Sequence, residues 1–200
     1  MKFLSETIGM RLLTASRETL RDAVSVFEKK AKSCATCDTR GICCTDVHFV
    51  NVRITRLEAK AIGEKIESLP RDLVESLKTR TREMARKMGD DRNPDFNANF
   101  YACPLFDAEA GCSVHEVKPG ACITHACYER KSDLPPSEAL EAYESDVSIL
   151  NKRVYGRDVV PLPIPKALTR LWTDSRPLDP TANEGDWEQQ AQEDRMKPDR

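Results

Sequence analysis

Aromatic residues are scarce in this 200-residue chain, which has two Trp, four Tyr and six Phe. Aromatic side chains bury the largest areas, so any core must be mostly aliphatic, drawn from a hydrophobic share of 40%. Neither sign of charge is in excess. The 31 Lys and Arg stand against 33 Asp and Glu, a net charge of −2, which leaves no global attraction to nucleic acid or to an anionic membrane. No run approaches the roughly 18–20 apolar residues of a membrane-spanning helix. The start, MKFLSETIGMRLL, lacks the pattern of an export signal, because Glu6 and Arg11 break its apolar run and no small-residue cleavage site follows. The sequence holds no internal repeat and no Gly-rich phosphate loop. Cysteine is abundant, with eight in the chain. A chain without an export signal is expected in the reducing cytoplasm, where thiols bind metal more readily than they pair as disulfides.

The length suits one domain, expected over residues 1–172, with a tail from 173 to 200 that is polar, acidic and predicted to be disordered. From Ser16 to Lys32, Leu20, Val24, Phe27 and Ala31 recur at helical spacing. VHFVNVRI then alternates, with Val50, Val52 and Ile54 on one face, as a short strand does. Thr55 and Glu58 have the spacing of a capping box, predicting a helix to about Ser68 that Pro70 ends. A further helix, Arg71 to Met88, carries Leu73, Leu77, Met84 and Met88 on one side. Arg71, Lys78 and Arg82 form a basic strip on its other side, open to a protein partner, although Asp72, Glu75 and Glu83 make a solvated face the simpler reading. Pro135, Pro136 and Ser137 open another helix that Gly156 ends, and VVPLPIPKALTRLW leads into a last short one.

Between Gly89 and Leu134 neither period persists. Ordering each backbone residue costs roughly 1–2 kcal/mol, and this long loop offers little apolar surface in return. Something other than a hydrophobic core is therefore expected to hold it. The fold expected is mainly α with a short strand or hairpin, a small helical scaffold around a loop-rich cysteine region stabilised by metal.

The cysteines fall in two groups. Cys34, Cys37, Cys43 and Cys44 lie in CATCDTRGICC, and Cys103, Cys112, Cys122 and Cys127 lie in the long loop. The Cys34-x-x-Cys37 spacing lets one tight turn aim two sulfurs at one metal. Cys43 and Cys44 are adjacent and cannot readily chelate one tetrahedral ion without strain. They suit ligands to different metals or different atoms of a cluster, or one of them is structural; a vicinal disulfide is a rarer arrangement. Two groups of four thiolates can build two four-thiolate sites or one shared site with spares. Four thiolates suit zinc and iron–sulfur clusters alike, and neither common ferredoxin spacing occurs. Of the three histidines, His125 lies between Cys122 and Cys127 as a substitute ligand. His115 is a ligand or proton-shuttle candidate, simpler as a hydrogen-bonded surface residue, and His48 packs in the strand pattern.

CATCDTRGICC, VHFVNVRITRLE, YACPLFD and GCSVHEVKPGAC together resemble the CxxCxxCC cysteine-cluster family, the YkgJ-like proteins described as a zinc- or iron-chelating domain. Thr55 and Glu58 match the family's helix start, Cys103-Pro104-Leu105 its C-P segment, and Cys112 through Lys118, Pro119 and Cys122 its last block. The resemblance covers about residues 33–128. The chain departs from it in the longer Cys37-to-Cys43 spacing, in His115 where Tyr is commoner, and in Ile123 where Arg is usual. It implies metal chelation by the eight cysteines. Flagellin lysine N-methylases carry a similar cluster, but no methyl-donor signature is present here.

Three functions compete: a protein whose cysteine loops chelate zinc or an iron–sulfur cluster, a metal- or cluster-dependent enzyme acting on a protein or small molecule, and a thiol redox sensor. For the enzyme, Glu116 beside His115 is the first general-base candidate, although a lone surface glutamate is more simply a solvated charge. No basic patch accompanies the cysteines and the chain is net acidic, so a nucleic-acid module is the weakest reading and no nucleic-acid partner is expected.

Overall fold

A computed structural model of the protein describes residues 3–31, 40–45, 51–89, 101–156 and 160–173. Within them the chain is mainly helical, with two small two-stranded sheets. Helix α1 (Glu6–Glu28) is capped at Ser5, whose hydroxyl accepts from Ile8 N at 3.4 Å. It begins earlier and ends sooner than the expected Ser16–Lys32, because Gly9 and Leu13 extend the buried stripe of Leu20 and Val24 toward the N-terminus. The stripe was obscured in the sequence because its middle position is Arg17, a buried cation.

After the one-turn helix α2 (Ile42–Thr45), strand β1 (Arg53–Ile54) leads straight into α3 (Arg56–Glu67). The expected strand over 47–54 is present at its C-terminal end, and residues 47–50 lie outside the described residues. The capping box forms as its spacing requires. Thr55 Oγ1 accepts from Glu58 N at 3.3 Å, and Glu58 Oε2 accepts from Thr55 N at 2.9 Å. Helix α3 then ends at Ser68, and α4 runs over Arg71–Lys87. Of the basic strip on α4, Lys78 pairs with Glu67 at 2.6 Å, and Lys78 and Arg82 lie 5.8 and 5.9 Å from the Trp172 ring centroid.

The segment from Tyr101 to Leu134 differs from its expectation. It holds a hairpin of β2 (Phe106–Asp107) and β3 (Gly111–Cys112), a 3-10 turn at His115–Val117, and the short helix α5 (Gly120–Thr124). It is also tied to the core, contrary to the expectation that it offers the core little. Tyr101, Leu105, Val114 and Ile123 are each no more than 2% exposed. Each of these short elements spans less than two full periods, so no repeat shows in the sequence.

Helix α6 (Ser137–Tyr155) starts after Pro136 and stops at Gly156, whose φ of 79° is the left-handed cap that glycine adopts without strain. Strand β4 (Leu162–Pro163) pairs antiparallel with β1, Ile54 opposite Leu162, and α7 (Ile164–Thr173) follows. Helices α1 and α6 lie antiparallel: Leu4 N donates to Arg153 O at 2.9 Å, and Tyr155 Oη donates to Glu6 Oε1 at 2.9 Å. The tail beyond Thr173 lies outside the described residues.

Two hydrophobic clusters share α3. Ile62 and Ile66 pack with Leu77, Leu105, Ile164 and Leu168 in one, while Leu57 and Ala61 pack with Leu13, Leu20, Ile123 and Val147 in the other. At ~1.5–3 kcal/mol for each fully buried aliphatic side chain, α3 is the element both halves need. Thr55→Ala should therefore lower the unfolding free energy by about 1–2 kcal/mol in urea titrations. Ser5→Ala, which removes an exposed 3.4 Å contact, should cost about 0.5 kcal/mol or less. Equal effects would contradict this account of α3.

Candidate functional site

The cysteines are placed by turns, not by long elements. Gly41 has a φ of 77°, and a Cβ there would stand 1.8 Å from Phe106 Cζ, so glycine is required for the chain to turn into α2 beside the hairpin. Cys44 N donates to Gly41 O at 2.8 Å, closing that turn, and Cys44 O accepts from Cys103 N at 2.6 Å, joining the first cysteine group to the second. Ser113 N donates to Leu105 O at 3.0 Å and holds the hairpin, in which Cys112 pairs with Phe106. Cys122 stands in α5, where its N–H donates to Pro119 O at 2.9 Å. A Cβ at Gly120 would meet the Tyr143 ring at 2.3 Å, so glycine lets α5 approach α6 closely enough to place Cys122. From α1, Arg21 Nη2 donates to His115 O at 3.1 Å and to Glu116 O at 2.8 Å, fixing the 3-10 turn.

Cys43, Cys44, Cys103, Cys112 and Cys122 all line one cavity of about 720 Å³, together with His115 and His125. Cys127 is outside the lining but hydrogen-bonds to Cys43. Cys34, Cys37 and His48 lie outside the described residues. The six described cysteines form no disulfide. Among the described residues, no three His, Cys, Asp or Glu side chains are grouped so as to hold one metal ion.

The thiols differ in acidity according to their surroundings. Cys43 is brought down to about 6, first by the hydrogen bond from the Cys44 thiol, with His125 and Cys127 adding to it against the opposing effect of burial. Its neighbour Cys44 is pushed strongly upward, because it donates that hydrogen bond and is itself buried. The adjacent pair thus gives up its first proton easily and keeps the second. Burial pushes Cys103 up to about 11 and Cys122 up to about 12, and it raises Cys112 as well. His115 is held below its ordinary value by burial and by the nearby Lys118 and Arg21 cations.

No family model, curated protein or solved structure matches this chain.

Glu116 is corrected as a general-base candidate. Its carboxylate is 74% exposed, pairs with Lys65 at 2.8 Å and is outside the cavity lining; the Lys65 hydrogen bond keeps it ionised to lower pH than an ordinary glutamate. Sequence reasoning gave no site role to four charged members of the wall, Arg40, Arg53, Lys118 and Glu144. They are charged residues, and only long-range folding brings together the turn before α2, β1, the turn before α5 and α6, which carry them. A smaller neighbouring cavity of about 260 Å³ shares Arg53, Ala121 and Glu144 with the first and is lined by Glu58 and Tyr143. Among the described residues no helix is long and apolar enough to cross a membrane.

In metal-free reduced protein, iodoacetamide should label Cys43 before Cys44, Cys103, Cys112 and Cys122, since the thiolate is the nucleophile. Its rate should rise through about pH 6 and level above it, while Cys103 and Cys122 stay slow until strongly alkaline pH. Peptide mapping after brief labelling checks this. Uniform labelling with a common midpoint near the ordinary thiol value of about 8.5 would contradict it.

Proposed function

We propose that this chain is a metal-binding protein whose two cysteine-bearing loops chelate zinc or an iron–sulfur cluster. One observation carries the reading: five thiols from four separate stretches of chain (43–44, 103, 112 and 122) line a single cavity. Isolated buried cysteines behave as small hydrophobes and have no reason to converge, whereas thiolates are the ligands that zinc and iron–sulfur clusters share. Cys43, Cys44, Cys103, Cys112, Cys122 and Cys127 are the proposed ligands among the described residues, with Cys34 and Cys37 completing the set. His125, which acts electrostatically on Cys43, is a substitute ligand. The motif resemblance to the CxxCxxCC, YkgJ-like proteins supports the same chemistry, and a cytoplasmic setting would keep the thiols reduced.

The proposed role of the metal is first structural. The apolar anchors of the segment from Tyr101 to Leu134 are single residues separated by turns. Metal binding adds free energy to such a segment because the preformed site is absent from the unfolded chain. When bound, zinc would supply a closed tetrahedral staple and a cluster would supply redox chemistry. The chain's own part is to bring the sulfurs together, bury them and surround them with cations. A redox-sensing reading has one specific observation in its favour, the contact of Cys43 with both Cys44 and Cys127. It predicts metal release by mild peroxide and rebinding on reduction.

Cys122→Ser should lose metal and lower the melting temperature by about 6–12 °C, as a loss of roughly 3 kcal/mol does in a domain of this size. Ser113→Ala serves as a control outside the ligand set. Metal content by elemental analysis and melting by circular dichroism check both. A Cys122→Ser protein with unchanged metal and unchanged melting would overturn the reading for that residue, and the same result at Cys112 and Cys103 would overturn it altogether.

A further inference from the structure

The cavity is larger than a metal site needs. A four-thiolate ion sits about 2.3 Å from each sulfur, and those sulfurs already belong to the wall. The open space of about 720 Å³ is in the range of small-molecule sites, roughly 300–1,000 Å³. Its wall has two kinds of surface. Val52, Phe106 and Ile164 supply an apolar part, while the charged part sets the cations Arg40, Arg53 and Lys118 against the Glu144 carboxylate and the Cys43 thiolate.

The cations are not alike. Arg40 is anchored, Nη1 donating to Glu109 O at 3.0 Å, and it reaches the hairpin, where Nη2 lies 3.5 Å from the position of a Cβ on Gly111. Lys30, Lys60, Lys65 and Lys78 each have a carboxylate partner. Lys118 is half-buried, and among the described residues it makes neither an ion pair nor a hydrogen bond, although its charge acts on Cys112, Cys122 and His115. A partly desolvated ammonium without a fixed partner is costly unless something anionic answers it. Part of that answer is the thiolates, but Lys118 and Arg40 also border open space next to an apolar surface.

We propose that the cavity binds a small organic anion beside the thiols, its charged group held by Lys118 and Arg40 and its apolar body resting on Phe106, Val52 and Ile164. The inference rests on the metal-binding reading and assigns to that site its ligand class. The apolar wall argues against free phosphate, which would leave it in contact with water. Lys118 and Arg40 beside that apolar surface argue against a basic ligand.

The test uses the full-length, metal-loaded chain, labelled with nitrogen-15, titrated in separate experiments with benzoate, benzyl alcohol and benzylamine, and followed by amide chemical shifts. Metal content is measured on the same samples. Benzoate should shift the amides of Phe106, Ala121 and Cys122 saturably and bind at least about tenfold more tightly than benzyl alcohol, as expected for a charge-assisted contact. Read on the metal-bearing fraction of each sample, Lys118→Met should abolish that preference, and Lys118→Arg should restore it. A metal-loaded chain that binds the three probes equally, or shifts only outside the cavity, overturns this inference and leaves the metal reading standing. Loss of metal from Lys118→Met in proportion to the loss of binding overturns it too, since Lys118 would then only balance thiolate charge. A chain that binds no metal overturns the metal reading and this inference with it.

Discussion

A buried carboxylate ties the two halves of this protein to its cysteine cavity. Glu58 is 5% exposed, and both of its oxygens are used: Oε2 accepts from the Thr55 backbone N and hydroxyl at 2.9 and 3.1 Å, and Oε1 accepts from Tyr143 Oη at 3.0 Å. An unpaired buried carboxylate would be strongly destabilising, so these bonds fix where α6 sits on α3. Asn151 adds a second tie, its Oδ1 accepting from Leu57 N at 3.1 Å and satisfying an amide that the first turn of α3 leaves without a helical partner. The Tyr143 ring in turn packs against Gly120, at the start of the helix that carries Cys122. The placement of that thiol thus follows from a helix cap more than sixty residues earlier in the chain.

The cavity's electrostatics follow from the same packing. Burial favours protonated thiols at Cys103, Cys112 and Cys122, whereas Cys43, next to Cys44 and close to His125, favours its thiolate. Adjacent cysteines in one helical turn point in different directions, which is why they suit separate coordination positions, yet both border the one cavity. A metal arriving here would meet one thiolate ready to bind and several thiols that must lose protons as they bind, so affinity should rise with pH.

Much of this was legible in the sequence where punctuation was local. Thr55 and Glu58 announced α3, Pro70 separated it from α4, and Pro136 and Gly156 bracketed α6. The beginning of α1 was hidden because a buried arginine, Arg17, interrupts its apolar stripe. The hairpin and α5 were hidden because elements of two to five residues are too short to show a period. The cysteines could be singled out, since spacing and number are local properties of a sequence. The roles of Arg40, Lys118 and Tyr143 could not be read that way, because what gives each its role is a neighbour far away along the chain. Glu116 beside His115 already read more simply as a solvated charge, and the structure adds its ion-pair partner, Lys65 from α3.

The central claim is that the converging thiols hold metal. It is tested most directly by elemental analysis and acid-labile sulfide assay on chain purified without oxygen and without added metal. The account predicts a reproducible whole-number content, either zinc in colourless protein or iron with sulfide in brown protein. Folded protein with less than about a tenth of a metal ion per chain, and with all its thiols titratable under native conditions, would contradict it.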